Sequence, residues 1–158
     1  MTRPMARSVR LASGEAWAVM DHAHTGILTS LRRSGAPIAL PVWFVVLDRR
    51  IYVSGPAQSR KFARVRRDPR VSFLVESGTH WAELVAVHVS GHARIITDAA
   101  LLARVATLFD EKYARFRTPR DQMPEIVRAR YDTETTTLEI APDERVLSWD
   151  NARLFEQP

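Results

Sequence analysis

The chain has 158 residues, enough for one domain with an apolar core and too few for a second of ordinary size. It carries no cysteine, which excludes disulfides, thiolate metal sites and a cysteine nucleophile. A formal net charge of +5 favours anionic partners, and nearly all the positive charge is arginine, Lys61 and Lys112 being the only lysines.

Residues 1–12 are expected to form a flexible N-terminal arm ahead of a single domain over 13–158. Arg3, Arg7 and Arg10 are followed by Ser13, Gly14 and Glu15, not by an apolar run, so no signal peptide is expected. No stretch reaches membrane-spanning length, and the expected compartment is the cytoplasm, with no membrane partner. Ser13 can cap a helix over 13–23, with Glu15 in the first turn, where the helix dipole favours an acid, and with Ala16, Trp17 and Met20 inward.

From Thr25 the pattern becomes strand-like. Strands are expected over 25–33, 37–48 and 50–54, broken at Ser34-Gly35-Ala36-Pro37 and at Asp48-Arg49, which reads as two hairpins. A short helix over 58–67 puts Phe62 and Val65 inward, and Asp68-Pro69 stops it. Two further strands, 70–76 and 84–97, follow, the second interrupted at Gly91, where a bulge or close backbone approach fits. Asp98 caps the longest helix, to about Phe116, with Leu101, Leu102, Val105, Leu108 and Phe109 at helical spacing. A helix over 120–131 contains Pro124, which breaks it or starts it, and strands over 135–140 and 145–149 close the chain. About seven strands joined by short antiparallel connections, with helices inserted between them, predict a closed or nearly closed barrel, not a parallel α/β sheet.

Gln58-Ser59-Arg60-Lys61 follows a strand and Gly55-Pro56 and opens a helix. There the first-turn amides are unpaired, Ser59 can cap, and Arg60 and Lys61 add a guanidinium fork and a point charge: an arrangement that holds a phosphate, the alternative being two exposed basic residues on a surface helix.

Four segments in register carry a resemblance. They are Ala39-Leu40-Pro41-Val42-Trp43-Phe44-Val45, Arg50-Ile51-Tyr52-Val53-Ser54, Ser59-Arg60-Lys61 and Arg67-Asp68-Pro69-Arg70-Val71-Ser72-Phe73-Leu74-Val75. Together with the glycine-centred run from Val87 to Ile95, they resemble the pyridoxamine 5'-phosphate oxidase-like FMN-binding split barrels. The resemblance implies a mainly β, six- to seven-stranded antiparallel Greek-key split barrel with peripheral helices, acting as a homodimer with cofactor sites at the subunit interface. It implies that Ser59, Arg60 and Lys61 grip the cofactor phosphate, that Leu40, Pro41, Val42 and Trp43 lie along the ring and offer it backbone groups, and that Tyr52, Val53 and Ser54 line the ribityl chain. Leu40 stands where true pyridoxamine phosphate oxidases carry an arginine, Ala86 lies near the place of a glutamine, and the spacing from Trp149 to Arg153 is shorter than theirs. The pattern is closer to the actinobacterial flavin/deazaflavin oxidoreductases, which use FMN or coenzyme F-420. The function this implies is hydride transfer from bound FMN or F-420 to a small conjugated acceptor; the alternative is a non-catalytic carrier of such a cofactor, or of haem.

The cofactor would carry the hydride chemistry, so no catalytic triad is required. Trp43, Trp81, His88 and Trp149 are candidate walls for a stacked substrate or for a subunit interface. His22 and His24 diverge at a helix end, and His88 and His92 lie about 13 Å apart along one strand, too far to share one ion, so no metal site is expected. The basic run Arg60, Lys61, Arg64, Arg66, Arg67, Arg70 points in several directions around a helix, so a solvated face plus a phosphate site is the simpler reading, with no nucleic-acid partner.

Overall fold

β-Branched residues alternating with polar ones build the strands, and the apolar half of each alternation faces one interior. The computed structural model describes residues 8–143 and 145–155. Eight strands are found there: β1 (Gly26–Leu31), β2 (Pro37–Val42), β3 (Val45–Leu47), β4 (Arg50–Pro56), β5 (Arg70–Ser77), β6 (Val85–Ile95), β7 (Thr135–Pro142) and β8 (Leu147–Asp150). The helices are α1 (Ser13–His22), α2 (Arg60–Arg67), α3 (Ala99–Tyr113) and α4 (Glu125–Tyr131).

All pairings are antiparallel, in the order β2-β1-β5-β6-β7-β4-β3, with β8 on β6. The two ends of that path, β2 and β3, are halves of one extended segment, so the sheet curls back on itself as a mainly β split barrel of six staves. Leu28, Ile51, Val53, Phe73, Val89 and Ile140 fill its interior, closed at the ends by Ala16 and Met20 of α1 and by Phe62 and Val65 of α2. Each such side chain contributes about 1.5–3 kcal/mol by leaving water. A second cluster lies outside the barrel, where Val105, Phe109 and Tyr113 of α3 cover Val45 and Tyr52. At Gly91 a side chain would strike the Ala141 carbonyl oxygen at 2.3 Å, which is the close approach expected there.

The segment expected as one strand over 37–48 is broken at Trp43-Phe44. The cause lies far along the chain: the Tyr113 hydroxyl accepts from the Phe44 N–H (3.0 Å) and stands 2.8 Å from both the Phe44 and the His24 carbonyl oxygens, between which it shares its single proton. Bonds that would have extended the ladder are taken by a side chain. The caps also differ from expectation. At α1 the Ala12 N–H is bonded by the Glu15 carboxylate (2.7 Å), and Ser13 is already helical. At α2 the helix begins at Arg60, and Ser59 occupies the cap position without a side-chain cap bond. Asp98 does cap α3, through the Leu101 N–H (2.7 Å). Pro124 starts α4, with a separate 3-10 turn over Arg120–Gln122 ahead of it.

Of the expected arm, residues 1–7 lie outside the described residues. Past them, the Val9 carbonyl accepts from the Asp150 N–H (2.7 Å) and Leu11 is buried against the barrel. No described helix is long and apolar enough to cross a membrane.

Candidate functional site

The barrel is split beside β4. Pairing of β3 with β4 runs from Leu47↔Arg50 to Val45↔Tyr52; carried on in that register, Trp43 would face Ser54 and Val42 would face Gly55. After the Trp43-Phe44 break, β2 instead pairs only with β1. The β2 edge and the end of β4 therefore keep unladdered backbone groups, and buried backbone groups need partners.

Beside the split opens a cleft of about 1020 Å³. Ile38 and Leu40 of β2 form its apolar floor, and Ser59 and the first turns of α2 form one wall. Cations surround it: Arg60, Lys61, Arg64 and Arg67 from α2, Arg32 and Arg33 from the β1–β2 turn, and Arg130 from α4. None of these seven forms an ion pair with a carboxylate among the described residues, whereas Arg50, Arg70, Arg94, Arg104, Arg117, Arg120 and Arg153 all do. Among the described residues no carboxylate lines the cleft.

Lys61 is the innermost of these cations. It is half-buried, its Nζ lies 3.4 Å from Ser59 Oγ, and a side chain at Gly55 would stand 2.8 Å from that Nζ. Burial lowers the ammonium pKa below the ordinary lysine value, and the nearby charges of Arg130 and Arg64 lower it further. Arg64 donates to Ser30 Oγ (2.8 Å); burial and the neighbouring Arg32, Arg60 and Arg67 lower its pKa as well. Arg67 donates to the Leu31 carbonyl (2.6 Å). Like charges gathered in a partly desolvated place raise the free energy of the empty site and lower that of a site holding an anion. A phosphate fits this donor set: a guanidinium fork, an ammonium, a hydroxyl and the Arg60 and Lys61 amides that open α2, the Phe62 N–H being bonded to the Ser59 carbonyl (3.1 Å).

Of the residues singled out from sequence, Leu40, Ser59, Arg60 and Lys61 are brought together in this cleft. Pro41 is exposed, while Val42 packs against the barrel core. Trp43 stacks flat on Tyr113, with ring centroids 4.4 Å apart and planes 4° from parallel. The side chains of Tyr52 and Val53 are enclosed in the two cores, so these residues can offer a ligand only backbone. Burial, and the Glu139 carboxylate that accepts from its hydroxyl at 2.9 Å, push the Tyr52 phenol up to about 12. Ser54 Oγ is engaged with Thr137 Oγ1 at 2.7 Å.

The remaining candidates lie elsewhere. Trp81 is 62% exposed, edge-on to Phe155. His88 and Trp149 sit across the β6–β8 pair, opposite Leu147 and Ala86 respectively. His88 Nδ1 is buried without a hydrogen-bond partner among the described residues. His92 pairs with Asp143 at 2.5 Å, and no cluster able to hold a metal occurs among the described residues.

Sequence reasoning missed Arg32, Arg33 and Arg130 altogether and read Arg64 and Arg67 as part of a solvated face. For Arg32, Arg33, Arg64 and Arg67 the available signal was a shortage of acids nearby: no Asp or Glu occurs between Gly26 and Leu47 or between Arg49 and Arg67, whereas Arg130 has Glu125, Asp132 and Glu134 close in sequence.

The chain matches a family model described as pyridoxamine 5'-phosphate oxidase over residues 13–147. Among solved structures it is similar to the conserved hypothetical protein Rv2991 from Mycobacterium tuberculosis, with 29% identity, a TM-score of 0.78, and 99% of this chain and 95% of that one covered. It shares a fold with the FAD binding protein from Mycobacterium smegmatis (17% identity, TM-score 0.63, 87% and 95% covered). It does so too with HutZ, the haem storage protein from Vibrio cholerae (14%, TM-score 0.67, 88% and 96%). No curated protein matches it. A family match spanning most of the barrel, on a chain whose barrel is split beside a phosphate-ready helix start, places this protein in the pyridoxamine 5'-phosphate oxidase family.

Proposed function

We propose that this protein binds a phosphate-bearing flavin or deazaflavin, FMN or coenzyme F-420, and serves as an oxidoreductase acting on a small conjugated acceptor. The observation that carries the reading is the cleft: seven cations without carboxylate partners among the described residues, set beside an open strand edge. The fold shared with proteins named for FAD and haem binding supports a planar cofactor of this kind.

When bound, the cofactor supplies the hydride chemistry through its ring. The chain supplies the rest. Arg60 and Lys61, with Ser59 and the α2 amides, hold the phosphate. From Leu40 to Trp43 the strand runs about 10 Å, long enough for a tricyclic ring to lie along its free backbone edge. Ile38 and Leu40 exclude water from one side of that path. Among the described residues no carboxylate or histidine lines the cleft, so the part read for the protein is positioning and electrostatics.

The reading includes a homodimer located in the cytoplasm. Across the outer sheet, strand register aligns Pro41, Ile27, Leu74, His88 and Leu147 in one row, with Trp149 beside it. Leu147 is 58% exposed and Trp149 is 37% exposed in the single chain. A second copy against this row would cover both.

The deciding experiment is the absorbance spectrum and mass of the small molecule that co-purifies, followed by stopped-flow reduction and a panel of quinone, tetrapyrrole and nitro acceptors. Arg60 and Lys61 replaced together by alanine should weaken FMN and F-420 binding at least tenfold with the fold intact. Unchanged titrations would remove the site assignment. A bound chromophore that no acceptor reoxidises would leave a carrier and remove the oxidoreductase.

A further inference from the structure

α4 is an unusual wall for a binding cleft. None of its residues is buried, Ile126 is 82% exposed and Tyr131 is 61% exposed. Such a helix has little hydrophobic reason to stay where it is. Its visible ties are polar and sit at its ends: Arg120 to Asp132 across the helix, Thr133 Oγ1 to Gln58 Oε1 (3.2 Å), and the Glu134 carbonyl accepting from the Ala57 N–H (2.8 Å). The face turned to the cleft carries Ile126, Ala129 and Arg130. Ile126 therefore shares the cleft with Ile38 and Leu40, and Arg130 shares it with Lys61.

The two cations are close enough for Arg130 to lower the Lys61 pKa, and no ion pair engages Arg130 among the described residues. An element with no buried anchor thus holds a positive charge near another. An anion between them would turn that repulsion into two attractions, one to each wall.

Resting on the reading of Ser59, Arg60 and Lys61 as a phosphate site, we infer that Arg130 is the opposing jaw of that site, and that α4 is a cover drawn onto the cleft by the anion bridging Arg130 to Lys61. Ile126 then closes over the apolar floor and excludes water along the ligand's stem. Binding and docking of α4 are one linked equilibrium: the ligand binds the docked form more tightly and so populates it.

The test compares parent, Arg130→Ala and Arg130→Lys in titrations with FMN, with F-420 and with phosphate-free riboflavin, alongside hydrogen exchange of residues 125–131. For the parent, FMN or F-420 should slow exchange across α4 at least fivefold, and riboflavin should not. Arg130→Ala should bind the phosphate-bearing ligands about tenfold more weakly, with riboflavin affinity unchanged and no ligand-induced protection of α4; Arg130→Lys should recover part of both. Thermal melts superimposable on the parent's show that the variants fold. Parent-like FMN and F-420 affinity in Arg130→Ala, or α4 exchange indifferent to these ligands in the parent, overturns the inference. If that happens while the Arg60/Lys61 double variant still loses binding, the phosphate site stands without its cover; if the double variant also binds as the parent does, the site reading has failed first.

Discussion

Replacing Gly55 by alanine should separate stability from ligand binding. An added Cβ would lie 2.8 Å from Lys61 Nζ, 3.6 Å from its Cε and 3.8 Å from the edge of the Phe62 ring. The last two are ordinary contacts, so only the ammonium must move, and it is the free end of a flexible side chain. Gly55 is not among the positive-φ residues, so alanine fits the backbone and stiffens the unfolded chain, a gain of about 0.4–1 kcal/mol. The displaced ammonium, by contrast, loses the geometry of a charge-assisted bond worth about 1.5–3 kcal/mol. Losing most of it, about 1–2 kcal/mol, weakens FMN or F-420 binding about 5- to 30-fold. The expected pair of results is a melting temperature equal to or above the parent's and a clearly higher Kd for FMN or F-420 by fluorescence titration. Parent-like affinity would mean that Lys61 does not touch the ligand. A melting temperature several degrees lower would mean that the methyl meets something less yielding than a lysine end.

Tyr113→Phe removes a buried hydroxyl that bonds the Phe44 N–H and the carbonyls at Phe44 and His24; with those groups unpaired, urea unfolding should show a loss of about 1–3 kcal/mol, together with a change in tryptophan emission as Trp43 loses its fixed stacking partner. Glu139 is 2% exposed; burial would raise its pKa, but bonds from Arg94 and Tyr52 and the charges of Arg94 and Arg50 outweigh that and hold the carboxyl below the usual glutamate value. Its stabilising contribution is therefore fully present above the unfolded-state value and is lost as pH falls through the lower folded-state value. Melting temperatures of parent and Glu139→Gln should differ most at pH 7 and converge as pH drops below about 4; a gap that stays constant refutes the assignment. Leu147→Asp, at a site 58% exposed in the single chain, should leave the melt of a monomer nearly unchanged but halve the mass seen by light scattering if the outer-sheet row joins two copies; an unchanged dimer would move the interface elsewhere.

Strand positions were legible to within a few residues because period-2 alternation and turn residues are local signals, and so was the cap at Asp98. The gathering of Ser59, Arg60 and Lys61 in the cleft was legible for the same reason: they are contiguous and follow a strand. What sequence could not reveal depends on chain segments meeting. The break at Trp43-Phe44 comes from a hydroxyl 69 residues further along, on the last turn of α3. Arg130 reaches the same cleft from α4, and nothing in its local stretch marks it, whereas Arg32 sits in an acid-free stretch that does. Tyr52 and Val53 show the opposite limit, since a strand that can offer a ligand backbone groups sends both side chains into cores.

The placement of the acids ties the site to the stability of the whole. Asp68, Asp110, Glu15 and Glu139 each neutralise an arginine away from the cleft, so the absence of carboxylates from the cleft wall is a local arrangement, not a shortage in the chain. Gathering Arg60, Lys61, Arg64 and Arg67 on one short helix costs about 0.2–0.5 kcal/mol for each like-charged pair three or four residues apart. α2 is held against that repulsion by Phe62 and Val65, fully or nearly fully buried in the barrel end and contributing about 1.5–3 kcal/mol each. A ligand that binds only the folded chain offsets the remainder, adding about 2.7 kcal/mol at a hundredfold excess over its Kd. The same helix thus plugs the barrel with its apolar face and gathers cations on its polar one; if it holds the proposed anion there, the bound chain must melt well above the empty one.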